Sequence, residues 1–125
     1  MAGYPGNWPP GCPPVDAEDA YGTVYRVCRE DPPAKSDFQS HAELGKKSGG
    51  NNCMRHGLSV FRDLAEARHL ARIFPKLGSL VFRGQLCPHH GKIKGTPTKT
   101  RPSHTTWWPY QEIERAAPFQ LEIEG

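Results

Sequence analysis

Four polar clusters in this chain carry side chains able to bind or activate a small charged molecule. They are Tyr25-Arg26, Ser40-His41, Ser59 two residues before Phe61, and Ser103-His104 followed by Trp107 and Trp108. Together they offer a guanidinium fork for an anion, hydroxyls, two imidazoles and aromatic surface for a flat ring. Charge points the same way. From Ala67 to Gln111 there is no Asp or Glu, while Arg68, Arg72, Lys76, Arg83, Lys92, Lys94, Lys99 and Arg101 all fall there, so the net charge of +3 hides an asymmetry. Such a stretch repels itself unless an anion, counterions or an acidic partner sits beside it, and phosphate is the commonest such anion. The set suits an anionic nucleotide. It also excludes a carboxylate catalyst between Ala67 and Gln111.

The four cysteines, Cys12, Cys28, Cys53 and Cys87, include no CxxC pair, so free thiols in a reducing, cytoplasmic setting are expected. Cys87-Pro-His89-His90 sets three soft or borderline donors within four residues, and His104 or Cys53 could complete a zinc set. Without a second recognisable ligand pair, zinc is not expected and no metal ligand is assigned. No apolar run reaches the roughly 18 residues of a membrane span, and the first residues lack the pattern of a signal peptide, so no membrane partner is expected.

The elements that must position these groups are short. Residues 1–20, with five prolines and then Asp16, Glu18 and Asp19, read as a flexible tail ahead of a single domain over 21–125. Thr23–Cys28 alternates as a strand with Val24, Arg26 and Cys28 on one face, which leaves Arg26 either at solvent or at the mouth of a cleft. Ser36–Gly45 reads as a helix with His41 on its apolar stripe, where the ring is either buried or part of a site. Lys46–Asn52 is a glycine-rich loop.

Gly57–Phe61 is a strand that runs within two residues into a helix. Asp63 and Glu66 form its capping box, Leu64, Ala67, Leu70, Ala71 and Phe74 its buried stripe, and Arg68, Arg72 and Lys76 a solvated face. Ser79–Leu86 is a strand, Cys87–Ser103 a long exposed basic loop, and His104–Trp108 a strand. Tyr110–Ala116 forms a helical turn or two, and Phe119–Glu124 a last strand. This order predicts an α+β domain with a small, curved, mostly antiparallel sheet and two short helices; a ferredoxin-like sandwich is the main competitor.

The motifs Tyr25-Arg26, Asp37-Phe-Gln-Ser-His41, Gly57-Leu-Ser-Val60 and His104-Thr-Thr-Trp107 resemble those of a group of small bacterial proteins, over roughly residues 22 to 124. In outline the chain also resembles the ADP-ribosyltransferase-like fold. That resemblance implies NAD bound in a split, curved sheet, with an arginine on the first strand (Arg26), a serine on a strand running into a helix (Ser59), and a third polar group near a late strand. His104 takes the third place, because no acid lies between Ala67 and Gln111. It implies catalytic roles for Arg26, Ser59 and His104. Tyr25, His41, Arg101 and Trp107 would contact the nucleotide, Arg26 and Arg101 neutralising the pyrophosphate and Trp107 or Tyr25 stacking on nicotinamide. The activity implied is that of an ADP-ribosyltransferase or NAD glycohydrolase-type toxin or effector. Two other classes fit the charge: a single-stranded nucleic-acid binder using the basic loop and Trp107-Trp108, and a small inhibitor acting on an acidic protein.

Overall fold

The alternating β-branched and aromatic residues of Gly22–Cys28 give an interior strand of one open sheet. In the computed structural model, which describes residues 11–45 and 52–122, seven antiparallel strands make that sheet. The strands are β1 (Glu18–Asp19), β2 (Gly22–Cys28), β3 (Leu58–Phe61), β4 (Leu80–Leu86), β5 (Gly91–Gly95), β6 (His104–Pro109) and β7 (Phe119–Leu121), in the spatial order β1-β5-β6-β3-β2-β4-β7. Two helices, α1 (Asn52–Arg55) and α2 (Leu64–Ile73), complete the α+β architecture. No helix among the described residues is long and apolar enough to cross a membrane.

One face of the sheet carries the larger core, built from Val24, Cys28, Leu58, Val60, Phe82 and Trp107 and closed by Phe38 and Phe119. On the other face α2 lays Ala67 and Ala71 against Phe61 and Val81, with Tyr25, Val27, Leu64 and Leu70 around them. Asp63 caps α2 by accepting from the Ala65 N–H at 2.8 Å. Glu66 does not close the expected capping box. Its carboxylate instead accepts from the Ser103 N–H at 3.0 Å, while Ser103 Oγ accepts from the Asp63 N–H at 3.1 Å, so the helix start is tied to the approach of β6.

Pairing between β2 and β4 runs the whole length of both strands, from Gly22 opposite Leu86 to Cys28 opposite Leu80. Between β2 and β3 it is confined to Tyr25 opposite Phe61. The sheet is therefore split on one side of that pair, and the split is where the polar groups collect.

Several expectations change. Ser36–Gly45 is a 3-10 turn at Lys35–Phe38 followed by separate turns, because Gln39 is extended and the Asp37 carboxylate is turned back onto the N–H groups of Arg29, Glu30 and Ala34. The glycine-rich loop lies outside the described residues except for Asn52, which begins α1. The basic loop contains β5, paired with β6 from Gly91 opposite Pro109 to Gly95 opposite Thr105. Tyr110–Ala116 forms turns without a helix, and the last strand is described only over Phe119–Leu121.

The expected tail is also revised from Gly11 onward. Cys12 is disulfide-bonded to Cys53, β1 pairs with β5, and Asp19 and Asp16 form ion pairs with Lys92 and Lys94 at 2.5 and 2.9 Å. Only Cys28 and Cys87 are free thiols. A disulfide belongs to an oxidising setting more readily than to the reducing one expected from cysteine spacing.

Candidate functional site

Where β2 and β3 diverge, the Arg26 guanidinium fills the gap. Its Nη1 donates to Ser59 O at 2.7 Å and its Nε to Asp37 O at 2.9 Å, and the fork lies 5.4 Å from the centre of the Phe38 ring. One carbonyl of β3 at the split and one of the 3-10 turn are thereby satisfied. Burial pulls the guanidinium pKa down, with the neighbouring Arg115 adding to the shift and Cys28 and Asp37 opposing it. Beside it, burial pushes the Cys28 thiol up to about 12, so this sulfur stays protonated and inert.

Ser59 and His104 meet across the β3–β6 ladder, in which Ser59 lies opposite Thr106 and His104 opposite Phe61. The imidazole Nε2 is 3.0 Å from Ser59 Oγ; Nδ1 is 3.0 Å from Thr96 O and 2.8 Å from Thr96 Oγ1. A carbonyl only accepts, so Nδ1 carries the proton and Nε2 accepts from the Ser59 hydroxyl. The ring edge also packs on Phe61 at 5.4 Å. Burial is the main cause that lowers the His104 pKa below its ordinary 6.5, with Arg101 lowering it further and Thr96 and Glu66 acting against. The imidazole is thus neutral at physiological pH, a base held in one tautomer against a hydroxyl.

These groups line one cavity of about 550 Å3, within the size range of small-molecule sites. Arg26, Ser59 and His104 share it with Arg29, Ser36, Ser40 and His41 on the polar side and with Leu44, Met54, Phe61, Leu70 and Leu77 on the apolar side. Asp37 is the acid in its lining, and both carboxylate oxygens are engaged by backbone N–H groups at 2.9–3.2 Å. The wall carrying Ser40 is braced by a reciprocal pair, Ser40 N–H to Glu43 Oε1 at 2.8 Å and Glu43 N–H to Ser40 Oγ at 3.2 Å. Arg115 grips the Glu43 carboxylate with both nitrogens and reaches Phe38 O. Burial alone would raise the Glu43 pKa; the hydrogen bonds from Arg115 and Ser40 outweigh it and hold the carboxyl low.

No protein-family model, curated protein or solved structure matches this chain.

Of the residues singled out in the sequence, the cleft brings together Arg26, Ser59, His104 and His41, the last on its exposed rim. It does not take in Tyr25, Arg101 or Trp107. Tyr25 packs with the α2 cluster, and Arg101 lies over Phe74 at 5.9 Å from the ring centre. Trp107 is fully buried, with its indole N–H donating to His90 O at 3.1 Å, and Trp108 is fully buried with its N–H on Cys53 O at 3.0 Å. Neither tryptophan can stack on a ligand from these positions. The sequence reading missed Asp37, Thr96 and Arg29. Asp37 lay inside the quoted Asp37–His41 motif, whereas nothing local distinguishes Thr96 from the other threonines of its loop.

Proposed function

We propose that this cleft binds NAD or a closely related nucleotide and opens the glycosidic bond to nicotinamide, as an ADP-ribosyltransferase or NAD glycohydrolase-type enzyme. The observation that carries the reading is the convergence of Arg26, Ser59 and His104 at a split in the sheet. One comes from the first long strand, one from a strand that runs into a helix and one from a late strand. The cavity has the volume and the mixed lining that a nucleotide with a flat ring requires.

In this reading Ser59, its proton committed to His104 Nε2, presents its lone pairs to a ribose hydroxyl. Arg26 and Arg29 supply positive potential for the phosphates, although Arg26 Nε and Nη1 are already spent on backbone carbonyls. The bond between the anomeric carbon and the nicotinamide nitrogen breaks with its electron pair leaving on the nitrogen. Water or an acceptor hydroxyl adds to the resulting oxocarbenium ion and loses its proton. Such a reaction depends on positioning and fixed dipoles more than on a strong base. Asp37 is occupied by the backbone, so activation of a protein acceptor by a cleft carboxylate is not part of the scheme.

Incubation with NAD should release free nicotinamide, and NAD should raise the melting temperature of the wild-type protein. Absence of both at saturating nucleotide would sink the reading. The nucleic-acid alternative loses its stacking platform with Trp107 and Trp108 buried. It would be favoured only by oligonucleotide binding that weakens steeply with salt and ignores Ser59→Ala.

A further inference from the structure

At the far end of β6 from His104, the turn between β4 and β5 gathers a second set of reactive side chains. Cys87 Sγ lies 3.4 Å from His89 Nδ1 and 3.5 Å from His90 Nδ1, and the two imidazole centres are 4.1 Å apart. One ligand atom from each residue falls within 4.8 Å of the others. In a tetrahedral zinc site with ordinary Zn–S and Zn–N bonds, a sulfur and a nitrogen ligand are separated by about 3.6 Å. The turn already holds the Cys87 sulfur at that spacing from a nitrogen of each imidazole.

The backbone beneath them is fixed. The 3-10 turn Pro88–His90 is closed by the His90 N–H donating to Cys87 O at 2.8 Å. His90 O accepts from the Trp107 indole at 3.1 Å and from the Tyr110 N–H at 3.4 Å. Gly91 follows at φ +131°, with its α-carbon against the backbone of Trp108, where any side chain would collide. The Cys87 N–H donates to His90 Nδ1 at 2.9 Å, which marks that nitrogen as the unprotonated one. Neither candidate partner raised by the sequence takes part, since Cys53 is in the disulfide and His104 sits about 16 Å away along the strand.

We propose that Cys87, His89 and His90 form a mononuclear site for a divalent cation of the zinc class, with the fourth coordination position open to solvent. Thiolate and imidazole donors select zinc-like ions over magnesium or calcium, which take oxygen ligands. His89 is exposed and Cys87 and His90 are half-buried, which leaves the fourth direction to water. On metal entry the Cys87 N–H···Nδ1 bond of His90 is exchanged for the metal bond, and the thiol gives up its proton to solvent.

Cobalt(II), added to the untagged full chain with its disulfide intact, reads the site directly. One equivalent should produce tetrahedral ligand-field bands and a thiolate charge-transfer band, both removed when zinc is added. Cys87→Ser should abolish the charge-transfer band, and His89→Ala or His90→Ala should weaken binding at least about tenfold. Ser59→Ala should leave the spectrum unchanged. An octahedral cobalt spectrum without charge transfer, or a charge-transfer band that survives Cys87→Ser, overturns the proposal.

Discussion

The two ends of β6 solve the same problem in opposite ways. At the His104 end, polar groups come from Arg26, Asp37, Ser59, Thr96 and His104, five segments of chain that meet only because three strands, a 3-10 turn and the residue after β5 deliver them. At the other end, Cys87, His89 and His90 are neighbours in sequence and need only one turn of 3-10 helix. A site assembled from distant strands is as stable as the sheet that holds it. A site written into one turn depends mainly on that turn's own backbone bonds.

This difference predicts its own sharpest test. Arg26→Ala removes hydrogen bonds to the carbonyls of Ser59 at the split and of Asp37 in the 3-10 turn, which should cost roughly 3–4 kcal/mol of unfolding free energy in urea titration. It should also abolish stabilisation by NAD. The same variant should still give the cobalt charge-transfer band. Loss of the band along with the cleft would mean that the two ends are not separable.

A smaller change isolates chemistry from scaffold. Ser59 is exposed and its hydroxyl bonds to the His104 ring, outside the hydrophobic core, so Ser59→Ala should leave the melting temperature near wild type while nicotinamide release falls about a hundredfold. A large drop in stability with activity retained would break the assignment of Ser59 to ligand.

Acid should act in part through half-buried imidazoles. His104 and His56 both have folded-state pKa values below their ordinary 6.5, burial being the leading cause. The unfolded chain therefore takes up protons at a higher pH than the folded one. Stability should be level well above pH 6.5 and decline as pH falls through and below that value. The urea midpoint should fall accordingly, and His104→Gln should flatten the decline. An unchanged slope would show that the His104 ring is accessible to protons in the folded state.

The smallest effect is expected at the turn itself. Without metal, Cys87→Ser should shift stability by no more than about 0.5 kcal/mol, since the Cys87 side chain is only half-buried and its backbone bonds are kept. A larger loss would give the cysteine a structural part beyond ligation.

Local pattern made much of the architecture legible. β2, β3, β4, β6 and α2 lie close to where alternation, helical periodicity and the Asp63 cap put them, because each is decided by residues within its own span. β5 was hidden, since Lys92-Ile93-Lys94 between glycines reads as a basic loop until Ile93 is paired opposite Trp107 and buried. The Ser36–Gly45 helix failed because the Asp37 carboxylate found three N–H partners upstream, a choice no helical period encodes.

The acid-free stretch shows the same division. Composition alone established that positive charge from Ala67 to Gln111 needs a counterpart, and that no carboxylate within it can act as a catalyst. Only the folded chain decided that part of the counterpart is internal, with Asp16 and Asp19 laid beside Lys94 and Lys92 and the segment anchored through Cys12 and Cys53. The sequence likewise named Arg26, Ser59 and His104 as polar residues near element ends. Their meeting depends on strand order and on a split after one residue pair. Pairing of distant strands is set by the burial of whole faces, which short-range spacing does not contain.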